Sequence, residues 1–76
     1  MKNTDDINKF LVFCIESYKS ALGLSGIDTL ADFKDYGVFD YLSDGYEVLH
    51  TQGKEYIVAD IKDFIKCRKQ NETISR

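Results

Sequence analysis

The sequence predicts an all-α domain, a compact bundle of about four helices. Three observations carry that expectation. Apolar residues recur at helical spacing near both ends of the chain, glycines fall where those runs stop, and no proline interrupts them. With 76 residues, the chain buries only about 60% of the surface it exposes when unfolded. Residues 1–76 therefore read as one small domain, too short to build a second domain and a cleft between the two.

Helix 1 is expected over residues 5–22. Thr4 suits an N-cap, and Asp5 and Asp6 place negative charge in the first turn, where the helix dipole favours it. Ile7, Phe10, Leu11, Cys14, Ile15, Tyr18 and Leu22 then fall within a sector of about 140°. Gly23 follows as a C-terminal cap. Val12 and Phe13 project on either side of that stripe, so the Phe10–Ile15 stretch is apolar almost all round. A helix of that kind is central in its bundle or covered by a partner. Either helix 1 is central, or Phe13 contributes to an interface with another chain, self-association through helix 1 included.

Helix 2 is expected over 26–36, capped by Ser25, with Ile27, Leu30, Ala31 and Phe33 facing inward and Gly37 as its stop. Helix 3 is expected over 38–51. Wound as a helix, this segment sets Asp40, Ser43, Asp44, Glu47, His50 and Thr51 on one side. Val38, Phe39, Tyr41, Leu42, Tyr46, Val48 and Leu49 cover the rest. Gly45 costs about 1 kcal/mol in a helix interior relative to alanine. The rival reading is an α+β fold with a hairpin at 46–58, in which Tyr46–Thr51 and Lys54–Val58 are strands around Gln52-Gly53. Helix 4 is expected over 54–69. Ile57, Val58, Ile61, Phe64 and Ile65 fall within about 120°, and Lys66, Arg68 and Lys69 suit the last turn. Residues 70–76 lack an apolar pattern and are expected to fray.

Bulk composition excludes several functions. The chain is 43% hydrophobic and 30% charged, with a formal charge of −3, an ordinary globular balance. An acidic chain with no basic stripe does not suit nucleic acid, which binds through lysine and arginine at its phosphates. The longest apolar run, Phe10–Ile15, is far too short for a membrane span. The acidic N-terminus does not resemble a signal peptide, so a cytoplasmic location is expected. Two cysteines are too few for a disulfide framework and lack zinc-site spacing. No glycine-rich phosphate motif is present. No cofactor is expected.

Candidate chemistry is sparse. His50 is the only histidine, and Glu47 at i−3 is placed to pair with it. A general base needs such an orienting partner and a reacting group in reach. The competing reading is a solvated histidine near a helix C-terminus. Asp40, Asp44 and Glu47 lack the loop and glycine of a calcium site and read more simply as a charged solvent face. Cys14 lies mid-stripe and behaves as a small hydrophobe. Cys67 falls off its stripe, so it is expected to be exposed, and Lys66 and Arg68 do not share its face. The tyrosines at 36, 41, 46 and 56 cluster around helix 3, where they extend a thin core or form a recognition surface. No catalytic, cofactor or metal residue is assigned. The candidate partner-binding residues are Phe13, Asp40, Asp44, Glu47 and His50.

Three stretches carry a family likeness: Tyr36–Leu42, then Tyr46–Gly53 with its Val48-Leu49-His50-Thr51 core, then Tyr56–Ile61. On these the chain resembles a family of short bacterial proteins of unknown function, from the Phe10–Tyr18 helix to Ile65. Members of that family are often encoded beside a predicted ADP-ribosyltransferase-like protein, in a toxin–antitoxin-like arrangement. The resemblance implies a small accessory or neutralising partner rather than an enzyme. The function expected is thus a non-catalytic protein-binding module. Its rivals are a DNA-binding helix-turn-helix regulator built from helices 2 and 3, and a small enzyme using His50.

Overall fold

The computed structural model describes residues 4–74, with side chains through Gln70. Five helices follow in order: α1 (Thr4–Leu22), α2 (Gly26–Asp35), α3 (Val38–Asp44), α4 (Tyr46–Leu49) and α5 (Lys54–Ile74). No strand occurs among the described residues, and the fold is all-α. The hairpin alternative at 46–58 is therefore set aside: Tyr46–Leu49 forms a helical turn, and Gly53 opens α5 by accepting the Ile57 amide at 3.1 Å.

Capping explains most of the boundaries. Thr4 is the first helical residue of α1 rather than its cap, and the residues before it lie outside the described ones. Gly23 takes a left-handed φ of 67°, and the Leu24 amide donates to the Lys19 carbonyl at 3.0 Å. That six-residue bond is the mark of a Schellman C-cap. Ser25 then caps α2, its hydroxyl accepting the Asp28 amide at 3.0 Å. Gly37, with φ 71°, turns the chain from α2 into α3.

The segment expected as one helix over 38–51 is broken at Gly45 into α3 and α4. A Cβ at that position would meet Leu49 Cδ1 at 3.0 Å and the Tyr41 carbonyl at 3.4 Å. The missing side chain leaves the room in which Leu49 lies against its own turn and is buried. Glycine is among the usual causes of a sharp helix bend. The last helix departs from expectation in the other direction. α5 continues to Ile74, beyond the expected end at 69 and through much of the segment expected to fray. Nothing between Gln70 and Ile74 is glycine or proline, and each residue added to an existing helix adds a hydrogen bond. Residues 75 and 76 of the expected frayed tail lie outside the described residues.

The core draws on four of the helices and the α4 turn. Phe10, Cys14 and Tyr18 come from α1, Phe33 from α2, Val38 and Leu42 from α3, and Leu49 from α4. Ile57, Val58, Ile61 and Ile65 come from α5. The α1 and α5 stripes thus face inward as expected, apart from Leu22 at the end of α1, which is exposed. The inward face of α2 matches only at Phe33: Thr29 and Phe33 are buried, whereas Ile27, Leu30 and Ala31, also expected inward, point outward. Thr29 is accommodated because its hydroxyl donates to the Ser25 carbonyl at 2.9 Å, so a buried polar group is not left unpaired. Val48, expected inward, is 68% exposed, since at about 100° per residue it falls to one side of the face that Val38, Leu42 and Leu49 bury. Helix 1 is not central, since Val12 and Phe13 are exposed on its outer side. No single helix among the described residues is long and apolar enough to cross a membrane. α1 and α2 meet that measure only as a pair bent by 116°.

At Gly37, as at Gly23, backbone conformation alone favours glycine, because the space beside it is open apart from Arg68 Nη2 at 4.0 Å. Gly37→Ala should cost about 1–2 kcal/mol through its left-handed backbone. Gly26→Ala, with ordinary backbone and open space, should leave stability unchanged or raise it. Urea denaturation followed by circular dichroism measures both.

Candidate functional site

Asp40 and Asp44 on α3, Glu47 on α4 and His50 just beyond it are all exposed. The bend at Gly45 divides them between two short helices, so the single acidic face expected of one long helix becomes two adjoining exposed segments. His50 does not find Glu47 as its partner. Its ring stacks on Tyr46 with centroids 4.5 Å apart and 15° between planes. Its Nδ1 lies 2.9 Å from the Tyr46 carbonyl oxygen. Tyr46 in turn meets the edge of Phe10 at 5.5 Å. The histidine is a cover on an aromatic step, with no carboxylate among the described residues orienting it. Among the described residues, no three His, Cys, Asp or Glu side chains converge as metal ligands.

The cysteines separate as their positions imply. Cys14 is fully enclosed, and burial pushes its thiol up to about 12, which removes it from thiolate chemistry at neutral pH. Cys67 is free and exposed. The tyrosines divide as well. Tyr18 is buried, Tyr36, Tyr41 and Tyr46 are half-buried, and Tyr56 is exposed.

Tyr41 is the most constrained of them. Its hydroxyl donates to Asp60 Oδ2 at 2.8 Å, and its ring stacks on Phe64 at 4.2 Å. The Arg68 guanidinium sits 4.8 Å from the Phe64 ring centre, and Lys69 Nζ lies 5.6 Å from that of Tyr36. These contacts clamp α5 against α3 and the α2–α3 turn. Burial and then the Asp60 carboxylate push the Tyr41 hydroxyl up to about 12 from its ordinary 10.0.

A second face lies along α5. Between α1 and α5 lie two hollows that share Lys62 in their walls. One, about 440 Å³, is lined by Tyr18, Leu22, Ile65, Lys66 and Lys69 among others. The other, about 350 Å³, is lined by Ala21, Lys54, Val58 and Ala59 among others. Lys62, Lys66 and Lys69 stand at i, i+4 and i+7, so they share one side of α5. The expectation that the chain has no basic stripe is therefore corrected. The acidic residues of the other helices outweigh this stripe in the net charge and hide it.

Taken together, the fold and its surface define a small all-α module with exposed apolar, acidic and lysine-bearing surfaces. A protein-family model described as a protein of unknown function (DUF3791) matches residues 9–68. The chain belongs to that family. No curated protein and no solved structure matches it.

Two outcomes follow from the geometry. A thiol reagent should label only Cys67 in the folded protein and both cysteines once urea is added, as counted by colour yield. The raised Tyr41 value means that the neutral hydroxyl is favoured in the fold. Its contribution is complete below pH 10 and is lost as pH climbs through about 12. Tyr41→Phe should flatten that alkaline loss of stability, measured as urea midpoints across this range.

Proposed function

We propose that this chain is a small non-catalytic protein-binding module, the accessory or antitoxin-like partner of an ADP-ribosyltransferase-like protein. The observation that carries the protein-binding reading is the outward face of α2. Ile27 is 81% exposed and Leu30 47% exposed, and Ala31 is exposed beside them. These positions at i, i+3 and i+4 form an apolar strip on a helix whose inward face is only Thr29 and Phe33. An apolar strip turned to solvent supports a binding role. Phe13, 43% exposed on α1, adds a large apolar side chain available to another molecule.

The charge around these surfaces suits a basic partner. Asp28 and Asp35 on α2 and Asp40, Asp44 and Glu47 on α3 and α4 are all exposed. Such a surface steers encounter and selects partners more than it sets affinity. His50, stacked outside Tyr46, adds a flat polar contact at its edge. The identity of the partner rests on the family likeness. An acidic module of this kind has a direct way to neutralise an enzyme of that class. Its carboxylates can occupy a site that otherwise receives a negatively charged nucleotide.

Co-expression with the ADP-ribosyltransferase-like protein, followed by size-exclusion chromatography, tests this. One joint peak at micromolar concentration is expected. The double variant Ile27→Asp with Leu30→Asp should separate it into two peaks while the helical circular dichroism is kept. Two separate peaks for the unaltered chain would overturn the reading.

A further inference from the structure

We propose that the groove between α1 and α5 is a docking site for an acidic amphipathic helix of a partner protein. This deepens the protein-binding reading and rests on it in general, while depending neither on the α2 strip nor on which enzyme is the partner. The groove has an apolar floor. Tyr18, Val58 and Ile65 are core residues whose edges reach it, and Leu22 is exposed along it. Ala21 and Ala59, both exposed, carry nothing beyond Cβ, and this is why the wall recedes there.

Lysines line the groove. Lys54, Lys62 and Lys66 are exposed, and among the described residues no carboxylate forms an ion pair with any of them. Lys69 also lines the groove and leans on Tyr36. Glu55 and Asp63 lie in the same walls, so the groove, with four lysines to two carboxylates, is basic but not uniformly so. Five cationic and three anionic side chains lie between residues 54 and 69 of a chain whose net charge is −3. The groove is thus a local reversal of the sign of the whole.

Spacing and chemistry select the occupant. At a rise of 1.5 Å per residue, Lys62 and Lys69 stand about 10 Å apart along the axis, and Lys54 extends the row to about 22 Å. A single phosphate spans too little to engage that row. An extended polyanion such as duplex DNA matches its charge but leaves the apolar floor uncovered. A helix with an apolar stripe flanked by glutamates or aspartates satisfies both, in the manner of helix-in-groove recognition.

The probe is a labelled synthetic helix of about 18 residues, five turns long. It carries leucines at helical spacing and glutamates on both flanks, and binding is followed by fluorescence anisotropy. Saturable binding is expected, weakening with added salt and absent for the same peptide with lysines in place of the glutamates. The variant Lys62→Glu with Lys66→Glu should weaken binding at least about tenfold. Ala59→Trp should do the same by filling the floor. All three positions are exposed, so the fold is kept, and circular dichroism verifies it. Ile27→Asp with Leu30→Asp should bind the peptide like the unaltered chain. Loss of the enzyme complex with peptide binding retained then separates a failure of the α2 reading from a failure of this one. No saturable binding below about 1 mM would overturn the proposal. So would equal affinity for the charge-reversed or tryptophan variants. Binding to phosphatidylserine vesicles or to a short DNA duplex, lost in Lys62→Glu with Lys66→Glu and without peptide binding, would overturn it in favour of a lipid or nucleic-acid surface.

Discussion

The fold depends on the enclosure of one ring. Phe33 has no exposed surface, and Tyr18 from α1 and Phe39 from α3 each present a ring to it at 5.5 Å in edge-to-face geometry. Such pairs add about 0.5–1.5 kcal/mol each beyond the area they bury. The larger effect is positional. α2 is only ten residues long, too short to persist as a helix by itself. It is held because Phe33 enters the joint between α1 and α3, with Thr29 one turn earlier filling the remaining gap. That anchoring has a direct consequence for the surface. Once Thr29 and Phe33 face inward, helix geometry requires Ile27, Leu30 and Ala31 to face out.

The opposite side of the domain is organised by α5. Its inward face of Ile57, Val58, Ile61 and Ile65 supplies much of the core. Its flanks lock it laterally through the Tyr41–Asp60 hydrogen bond, the Tyr41–Phe64 stack and the Arg68 cation over Phe64. The half-exposed tyrosines thus serve as struts, each with a ring against apolar surface and an edge toward water. Carboxylates gather on α2 through α4, and lysines gather along α5. A protein this small thereby presents two electrostatically distinct sides, although its net charge suggests only an acidic one.

Much of this was legible in the sequence where a long apolar period met a clear cap. α1 and the inward face of α5 follow directly from their stripes, and Gly23, Ser25 and Gly37 act at the expected boundaries. Three features were not legible, each for a physical reason. Periodicity on α2 admitted two faces, and the smaller and more polar face, Thr29 with Phe33, is the one buried. The Ser25 carbonyl one turn earlier satisfies the threonine hydroxyl locally, but that this face is the buried one is decided by where Phe33 meets Tyr18 and Phe39, a tertiary detail. The bend at Gly45 depends on how closely Leu49 approaches, which spacing along the chain does not encode. The lysine groove exists only when α1 lies beside α5, although the i, i+4, i+7 signal at 62, 66 and 69 is present in the sequence.

The break at Gly45 also divides the molecule into parts of unequal permanence. α4 is a single turn of four residues, and Leu49 is its only buried side chain. A turn with so few internal hydrogen bonds, anchored only by Leu49 and by the contact of Tyr46 with Phe10, belongs at the low end of the local opening free energies found within a fold. Residues 46–53 are therefore the segment expected to exchange its amide protons before the rest of the fold, where α1, α2, α3 and α5 pack on one another. Glu47 and His50 stand on that short segment, so what they present to another molecule is held by the least anchored part of the chain rather than by its packed helices.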